Sequence, residues 1–259
     1  MKLISWNVAG RVVKLERQAA ALERQQPDLV CLQEIRPSTL GPWRAACAEM
    51  GLSYVAESSD VMGKRRLLCA TASRWELATL PAVGAPYPER VVSVVTQTPH
   101  GELELHNTHV PPAPSNGLIK VETLEALFFA LARGSDRHRI LCGDLNVPRL
   151  ETVEGEVITF ADNHPEQLLR WDRAERCLLT DLAESDLRDC FRLLHGYERR
   201  DVSWVLNTHS VRKAGHRLDH ILASRSLGVV HCDYHHEWRD SGLSDHSAME
   251  AVFEPVVDA

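Results

Sequence analysis

The sequence lacks several features that would assign it to a class at once. No apolar run approaches the roughly 18 residues that a membrane span requires. The opening residues, Met1-Lys2-Leu3-Ile4-Ser5-Trp6-Asn7, hold an apolar stretch too brief for a secretory leader and read as a short strand. The 7 cysteines are odd in number and form no C-x-x-C pair, which argues against a disulfide framework or a zinc site. Cys31 and Cys142 lie inside apolar, strand-like runs, so reduced, buried thiols and a cytoplasmic location are expected. There is no P-loop, no serine nucleophile elbow, no internal repeat and no low-complexity tract. Lysine is scarce, 5 residues against 24 arginines, a bias that codon composition explains as well as phosphate recognition does.

What is present is ordinary for a globular chain. The 259 residues are 44% hydrophobic and 25% charged, which excludes a disordered, collagenous or coiled-coil protein. Acidic residues outnumber basic ones by 36 to 29, and the net charge of −7 weighs mildly against a polyanion coat. A local basic groove can coexist with an acidic whole. Length alone allows one large domain or two small ones.

Hydrophobic periodicity and turn residues predict interleaved helices and strands. Strands are expected at Lys2–Trp6, Asp28–Gln33, Tyr54–Glu57, Leu67–Ser73, Glu76–Leu80, Val91–Thr98, Glu102–His109 and Arg139–Cys142. Further strands follow at Ser203–Leu206, Leu218–Ala223, Gly228–His235 and Ala248–Pro255. Helices are expected at Val12–Gln25, Leu40–Met50, Leu118–Arg133, Glu166–Leu182 and Leu187–His195, the second closed by Gly51. Turn signals at Met62-Gly63-Lys64, Pro81–Pro88 and Pro99-His100-Gly101 separate the central strands. A doubly wound sheet would alternate throughout, but the middle of this chain is a run of strands. The expected class is α/β, with two packed mixed β-sheets flanked by α-helices.

Polar residues with chemical potential recur at the strand ends. Asn7 ends the first strand, Glu34 follows the second and His109 ends Glu102–His109. Asp144 and Asn146 follow Arg139–Cys142 in GDLN, Asp219 lies in RLDH, and Asp245-His246 precedes the last strand. Ligand sites of α/β proteins gather at strand ends. Any one of these residues is commonly a turn former or a solvated cap, but so many complementary groups are hard to explain that way. Carboxylate and amide oxygens suit Mg²⁺ or Mn²⁺, and histidines transfer protons or hydrogen-bond phosphoryl oxygens. Together they suit metal-assisted hydrolysis of a phosphate ester.

On these residues the sequence resembles the endonuclease/exonuclease/phosphatase superfamily. The matching segments are SWNVAG (Ser5–Gly10), DLVCLQEIR (Asp28–Arg36), NTHVP (Asn107–Pro111), GDLNVP (Gly143–Pro148), SW (Ser203-Trp204), RLDHIL (Arg217–Leu222) and SDHSAM (Ser244–Met249). They follow the family order across nearly the whole chain. The resemblance implies a four-layer sandwich and one domain spanning residues 1–259, since motifs from Asn7 to His246 must meet. It implies a metal held by Glu34 with Asn7 beside it and Asp245 in support. Asp144 would orient or deprotonate the attacking water, and Asn146 would position the water or the phosphate. His246 would contact the scissile phosphate, held in its useful tautomer by Asp219, while His109 would face the phosphate from the other flank and protonate the leaving oxygen. Arg36 and Trp204 are the expected substrate contacts, although core packing is an alternative for Trp204.

Several departures bear on the substrate. His109 stands where the exonuclease III and apurinic branch usually carries Tyr, and is more like the deoxyribonuclease and phosphatase branches. Ala9 stands where many apurinic endonucleases carry Asp or Asn, and Pro112 where the repair branch tends to have Asn. His216 precedes RLD and Val205 follows SW, near the points where repair enzymes place pocket aromatics. The arginines at 170, 173, 176, 199, 200 and 212 and Lys213 are potential backbone contacts or members of solvated ion pairs with nearby acids. The expectation is a monomeric nuclease acting on DNA or RNA with Mg²⁺ or Mn²⁺. The alternative is a phosphatase or phosphodiesterase for a small-molecule, nucleotide or lipid-headgroup phosphate ester.

Overall fold

A computed structural model describes residues 1–58, 67–112, 117–208 and 211–256, apart from the side chains of 207–208, 211–213 and 255. The expected Met62–Lys64 turn and the side chains of Arg212 and Lys213 lie outside the described residues. The chain begins with β1 (Lys2–Asn7), α1 (Leu15–Gln25), β2 (Leu29–Ile35), α2 (Leu40–Glu49), β3 (Tyr54–Glu57), β4 (Leu68–Ser73) and β5 (Leu77–Thr79). It continues with β6 (Val91–Thr98), β7 (Gly101–His109), α3 (Ile119–Leu131), β8 (His138–Asp144), β9 (Leu150–Glu151), β10 (Val157–Ile158) and α4 (Leu168–Cys177). It ends with β11 (Leu187–Asp189), α5 (Cys190–His195), β12 (Trp204–Thr208), β13 (Val211–His216), β14 (Asp219–Ser224), β15 (Leu227–His235), α6 (His236–Asp240) and β16 (Ala248–Pro255).

Two six-stranded sheets form, in the orders β15-β16-β1-β2-β4-β3 and β11-β14-β8-β7-β6-β5. Each has one parallel pair: β1 with β2 across α1, and β7 with β8 across α3. A parallel pair needs such a crossover, and a helix supplies it. The remaining neighbours in both sheets are antiparallel.

Side-chain alternation builds the layers. Leu3, Leu29, Cys31, Val94, Leu105, Ile140, Cys142 and Ile221 meet between the sheets in one buried cluster. Residues of opposite parity face outward: Ile4, Trp6, Val30 and Leu32 pack under α1 and α2 with Leu22 and Trp43. Leu141 and Leu222 pack under α3 and α4 with Leu124, Leu127 and Trp171. The central strands are apolar on both faces because both faces are covered. This is the expected four-layer arrangement. The 7 cysteines are free and buried, and among the described residues no helix is long and apolar enough to cross a membrane.

Local signals explain some element ends. Gly51 (φ +80°) closes α2: its N–H bonds Ala48 O at 2.9 Å and Leu52 N bonds Cys47 O at 2.8 Å, the paired bonds of a glycine-terminated helix. Two expectations are corrected. Leu187–His195 is not one helix; Leu187–Asp189 pairs antiparallel with Leu222–Ser224, and the helix starts only at Cys190. Asp189 causes the break by accepting from Phe191 N and Arg192 N at 3.0 and 3.1 Å, a side-chain N-cap. The helix expected at Glu166–Leu182 is shorter, with single 3₁₀ turns at Pro165–Gln167 and Asp181–Ala183 flanking α4. The β9–β10 hairpin, β13 and α6 have no counterpart among the expected elements.

Candidate active site

The C-terminal ends of the two parallel pairs lie at one end of the sandwich. Asn7 ends β1, Glu34 lies near the end of β2, and His109 and Asp144 face each other in register at the ends of β7 and β8. Asp219 opens β14 directly opposite Asp144. His246 sits in the loop before β16, its backbone held by Trp6 Nε1 on its carbonyl at 3.1 Å and by Ser244 Oγ on its N–H at 3.2 Å.

Special backbone conformations aim these side chains. The β2–β4 register shifts between Leu32 and Ile35, and within that irregularity Glu34 adopts φ +59°. Such a bulge re-aims a side chain that regular pleating would bury, and left-handed backbone at a non-glycine residue is held only where its surroundings impose it. Asn146 (φ +52°) is held by its N–H on Asp144 Oδ1 at 3.0 Å and its Nδ2 on Val110 O at 2.7 Å. Gly143 (φ +132°) is required, because a Cβ there would lie 1.9 Å from Thr108 O.

The side chains form one connected set. Asn7 Nδ2 donates to Glu34 Oε1 at 3.2 Å and Asp144 Oδ2 at 3.0 Å, while its Oδ1 accepts from Ala9 N at 2.9 Å. The amide therefore bridges the two carboxylates by its nitrogen. His109 Nε2 lies 3.5 Å from Glu34 Oε1 and 3.6 Å from Asp144 Oδ2. His246 Nδ1 bonds Asp219 Oδ2 at 2.8 Å, leaving Nε2 at 3.7 Å from Asp144 Oδ2.

The two histidines are driven to opposite charge states. Burial pushes the His246 ring toward neutrality, but the charges of Asp219 and Asp144 outweigh it and raise its pKa to about 10. Burial, Arg90 and His246 all push His109 well below the usual imidazole value. Asp144 is raised to about 7, first by burial and then by Asp219, with His246 and the Asn7 bond opposing. Near neutral pH the site thus holds one imidazolium, one neutral imidazole and a carboxyl close to its midpoint.

The structure brings Asn7, Glu34, His109, Asp144, Asn146, Asp219 and His246 together. Three other expected residues stand apart from that set. Asp245 is exposed and accepts from Trp204 Nε1 at 3.4 Å. Arg36 is exposed and bonds Gly10 O at 2.6 Å through Nε. Trp204 is half-buried and stacks with His216 at 6.1 Å between ring centroids. Arg170, Arg176 and Arg199 are paired with Glu125, Asp172 and Asp201 with Asp233.

Supporting residues were harder to read from sequence. Arg90, which donates to His109 Nδ1, sits in a turn outside every motif. Tyr234 OH donates to Asp219 O at 2.7 Å, and Ser203 Oγ accepts from Asp219 N at 3.1 Å. Gln33 Nε2 donates to Asn107 Oδ1 at 2.7 Å across the sheets. The LQE and NTH motifs contain this pair, but only the facing of the two sheets reveals the contact.

A hard divalent cation fits the donor set. Asp144 and Asp219 offer carboxylate oxygens within 4.8 Å of each other and of His246, whose imidazolium donates rather than ligates. Asp219 Oδ1 is buried with no hydrogen-bond partner, and Glu34 adds a further carboxylate beside Asp144 through Asn7. Oxygen-rich, anionic and weakly compensated, this cluster matches Mg²⁺ or Mn²⁺ better than a thiolate-seeking metal.

The chain is similar to several known proteins. A DNA-(apurinic or apyrimidinic site) endonuclease from Dictyostelium discoideum is 26% identical over 238 residues, covering 88% of this chain and 63% of that protein. The chain therefore spans less than two thirds of that relative. Exodeoxyribonuclease III from Haemophilus influenzae is 23% identical over 241 residues, covering 88% of this chain and 89% of that one. The structure of an AP endonuclease from Archaeoglobus fulgidus shares the fold, with a TM-score of 0.74 at 22% identity, 98% of this chain and 99% of that one being covered. The model of the Endonuclease/Exonuclease/phosphatase family matches residues 4–246, from the first strand to the site histidine, and the chain belongs to that family.

Proposed function

We propose that this chain is a divalent-metal-dependent phosphodiester hydrolase, one domain acting as a monomer on DNA by attack of water on phosphorus. One observation carries the reading: strand ends of both sheets deliver Glu34, His109, Asp144 and the Asp219–His246 pair to one cleft. The names of the Dictyostelium and Haemophilus relatives support DNA as the substrate. The 7 free, buried cysteines support a reducing, cytoplasmic setting.

Each residue has a task in this reading. Glu34 would hold the metal, with Asn7 fixing its orientation and joining it to Asp144, which with Asp219 Oδ1 would offer further oxygens. A bound divalent ion would supply Lewis-acid stabilisation of charge on the phosphoryl oxygens. Asp144, with a pKa of about 7, accepts the proton of the attacking water. Asn146 positions that water or a phosphate oxygen. His246, as an imidazolium pinned by Asp219, donates from Nε2 to a phosphate oxygen. His109 accepts from Arg90 at Nδ1, so its ring proton lies on Nε2, facing the cleft as a hydrogen-bond donor.

Arg90 favours a second reading, a phosphomonoesterase. It adds a cation beside His109, where a terminal phosphate dianion would be held more strongly than a diester monoanion. A chelator-controlled panel separates the two: plasmid nicking, an abasic-site oligonucleotide, single-stranded DNA and RNA, and phosphomonoesters. Mg²⁺-dependent cleavage of an internal DNA phosphodiester is the expected result. Turnover of phosphomonoesters alone would move the assignment to the second reading.

A further inference from the structure

We propose that His220 is a positioning residue for the hydrolytic site, tying the turn that carries Asp144 and Asn146 to the strand that carries Asp219. The kinetic part of this proposal rests on the hydrolase reading above; the structural part does not.

His220 follows Asp219 on β14 and is fully buried. Successive strand residues point to opposite faces, so Asp219 enters the cleft while His220 turns away from it. In register His220 stands opposite Gly143, and Asp219 opposite Asp144. His220 Nε2 lies 2.8 Å from Val147 O and 3.0 Å from Arg217 O. Its Nδ1 lies 3.1 Å from Asp189 Oδ2. The two ring nitrogens thus face acceptors on different elements, Nε2 the turn after Asp144 and Nδ1 the cap of α5.

The turn that begins at Asp144 needs this support at its exit. Its entry is fixed by Leu145 N on Leu218 O at 2.8 Å, and its middle by the two bonds of Asn146 to Asp144 and Val110. Asn146 has a left-handed backbone, which relaxes unless both sides are held. Val147, the next residue, is held through its carbonyl by His220.

The far end of the strut is anchored by several bonds. Asp189 caps α5 with Oδ1, and its Oδ2 accepts from Arg217 Nη2 at 2.7 Å. Arg217 in turn makes a two-pronged bond to Glu151 at 2.7 and 2.8 Å. His220 therefore spans from an anchored carboxylate to the catalytic turn. An apolar side chain of similar size would fill the space but hold neither end.

The test compares wild type with His220→Leu and His220→Gln by steady-state kinetics and amide hydrogen exchange. His220→Leu is expected to lower kcat by about 10–100-fold, with KM changed by less than about threefold, because misplacing Asp144 and Asn146 weakens the transition state more than the ground state. Exchange at Leu145–Val147 is expected to speed up by about tenfold or more, while Ile221 and Leu222 in β14 keep their protection. His220→Gln, whose amide can reach the Val147 carbonyl, should recover most of kcat and of the protection. Unchanged kcat in His220→Leu, a change confined to KM, or a loss of kcat with no change in exchange at 145–147 would each overturn the proposal. If His220→Leu does not fold, His220→Asn takes its place, since its shorter amide cannot span both partners. If the wild-type protein turns over no phosphate ester, the hydrolase reading fails and the exchange comparison alone decides the positioning role.

Discussion

Two carboxylate clusters flank the start of β14, and burial acts on them in opposite ways. In the cleft, Asp144 and Asp219 face each other with Glu34 nearby, and Asp144 is pushed up to about 7 by burial and by Asp219. Behind the cleft, the Glu151 and Asp189 side chains are also largely hidden. There burial is outweighed by Arg217, and Glu151 is held down at about 2 with help from Arg192, Asp189 lower still. Only Leu218 separates Arg217 from Asp219 in the chain. The difference is whether a guanidinium engages the carboxylates directly: in the cleft Arg90 bonds His109, and it is the His246 imidazolium that bonds Asp219. A buried carboxylate cluster without one is an attractive site for a cation from solution; one with it is a finished structural tie.

Asp144→Asn should break the first cluster without harming the fold. Its kcat is expected to fall by about 10²–10⁴-fold, the range for removing a general base, while thermal unfolding shows equal or higher stability, since a buried charge is gone. Near wild-type turnover would refute the role given to Asp144. Arg217→Met should break the second cluster and lower stability by up to about 3–5 kcal/mol, because it removes the guanidinium shared by both buried carboxylates and leaves Glu151 to Arg192 and Asp189 to His220 and the α5 cap; denaturant titration measures it. A loss below about 1 kcal/mol, the worth of an exposed pair, would show that water reaches the network.

Mg²⁺ sharpens the contrast further. At a hundred times its Kd it should stabilise the folded protein by about 2.7 kcal/mol, read as a rise in Tm that chelator reverses. Arg217→Met should keep this rise and Glu34→Gln should reduce it. The smallest effect is in pH. In the metal-free protein, the form with Asp144 ionised and His246 protonated is populated between about 7 and about 10, the two titrating as a coupled pair. A bound cation favours ionised Asp144, so kcat/KM in Mg²⁺ should rise at or below pH 7 and fall as pH climbs through about 10. Stability should run the other way at acid pH in the two clusters. Asp144, raised from 3.8 to about 7, loses stability as pH rises through that interval, whereas Glu151, lowered from 4.5 to about 2, adds stability above 4.5 that disappears as pH falls through 2. Stability-versus-pH curves of Asp144→Asn and Glu151→Gln separate the two contributions.

Much of the cleft could be read along the chain, because catalytic groups at strand ends sit in short contiguous motifs. LQE, GDLN, RLDH and SDH each bring a strand and its terminal polar group together, so residue type and position are visible at once. What lay between motifs was not. Arg90 reaches His109 from an unremarkable turn. His220 stands inside RLDH, yet its neighbours Val147 and Asp189 are 73 and 31 residues away. Leu187–His195 has helical spacing of its apolar residues, but edge pairing with β14 and the Asp189 cap override that propensity. Nothing in the local sequence marks Arg217 as a buried tie; Glu151, which it bonds, is 66 residues away.

By itself, the sequence determined most strands of the two large sheets, most helices, and which polar groups end the strands. Those properties follow from local periodicity and turn chemistry, where the interacting residues are neighbours in the chain. Only the tertiary structure decided which carboxylates share a cleft and which share a guanidinium. Charge state depends on distances of a few ångströms between groups far apart in sequence, and on the exclusion of water around them. The same aspartate or glutamate is poised near neutrality in one place and held fully ionised in the other.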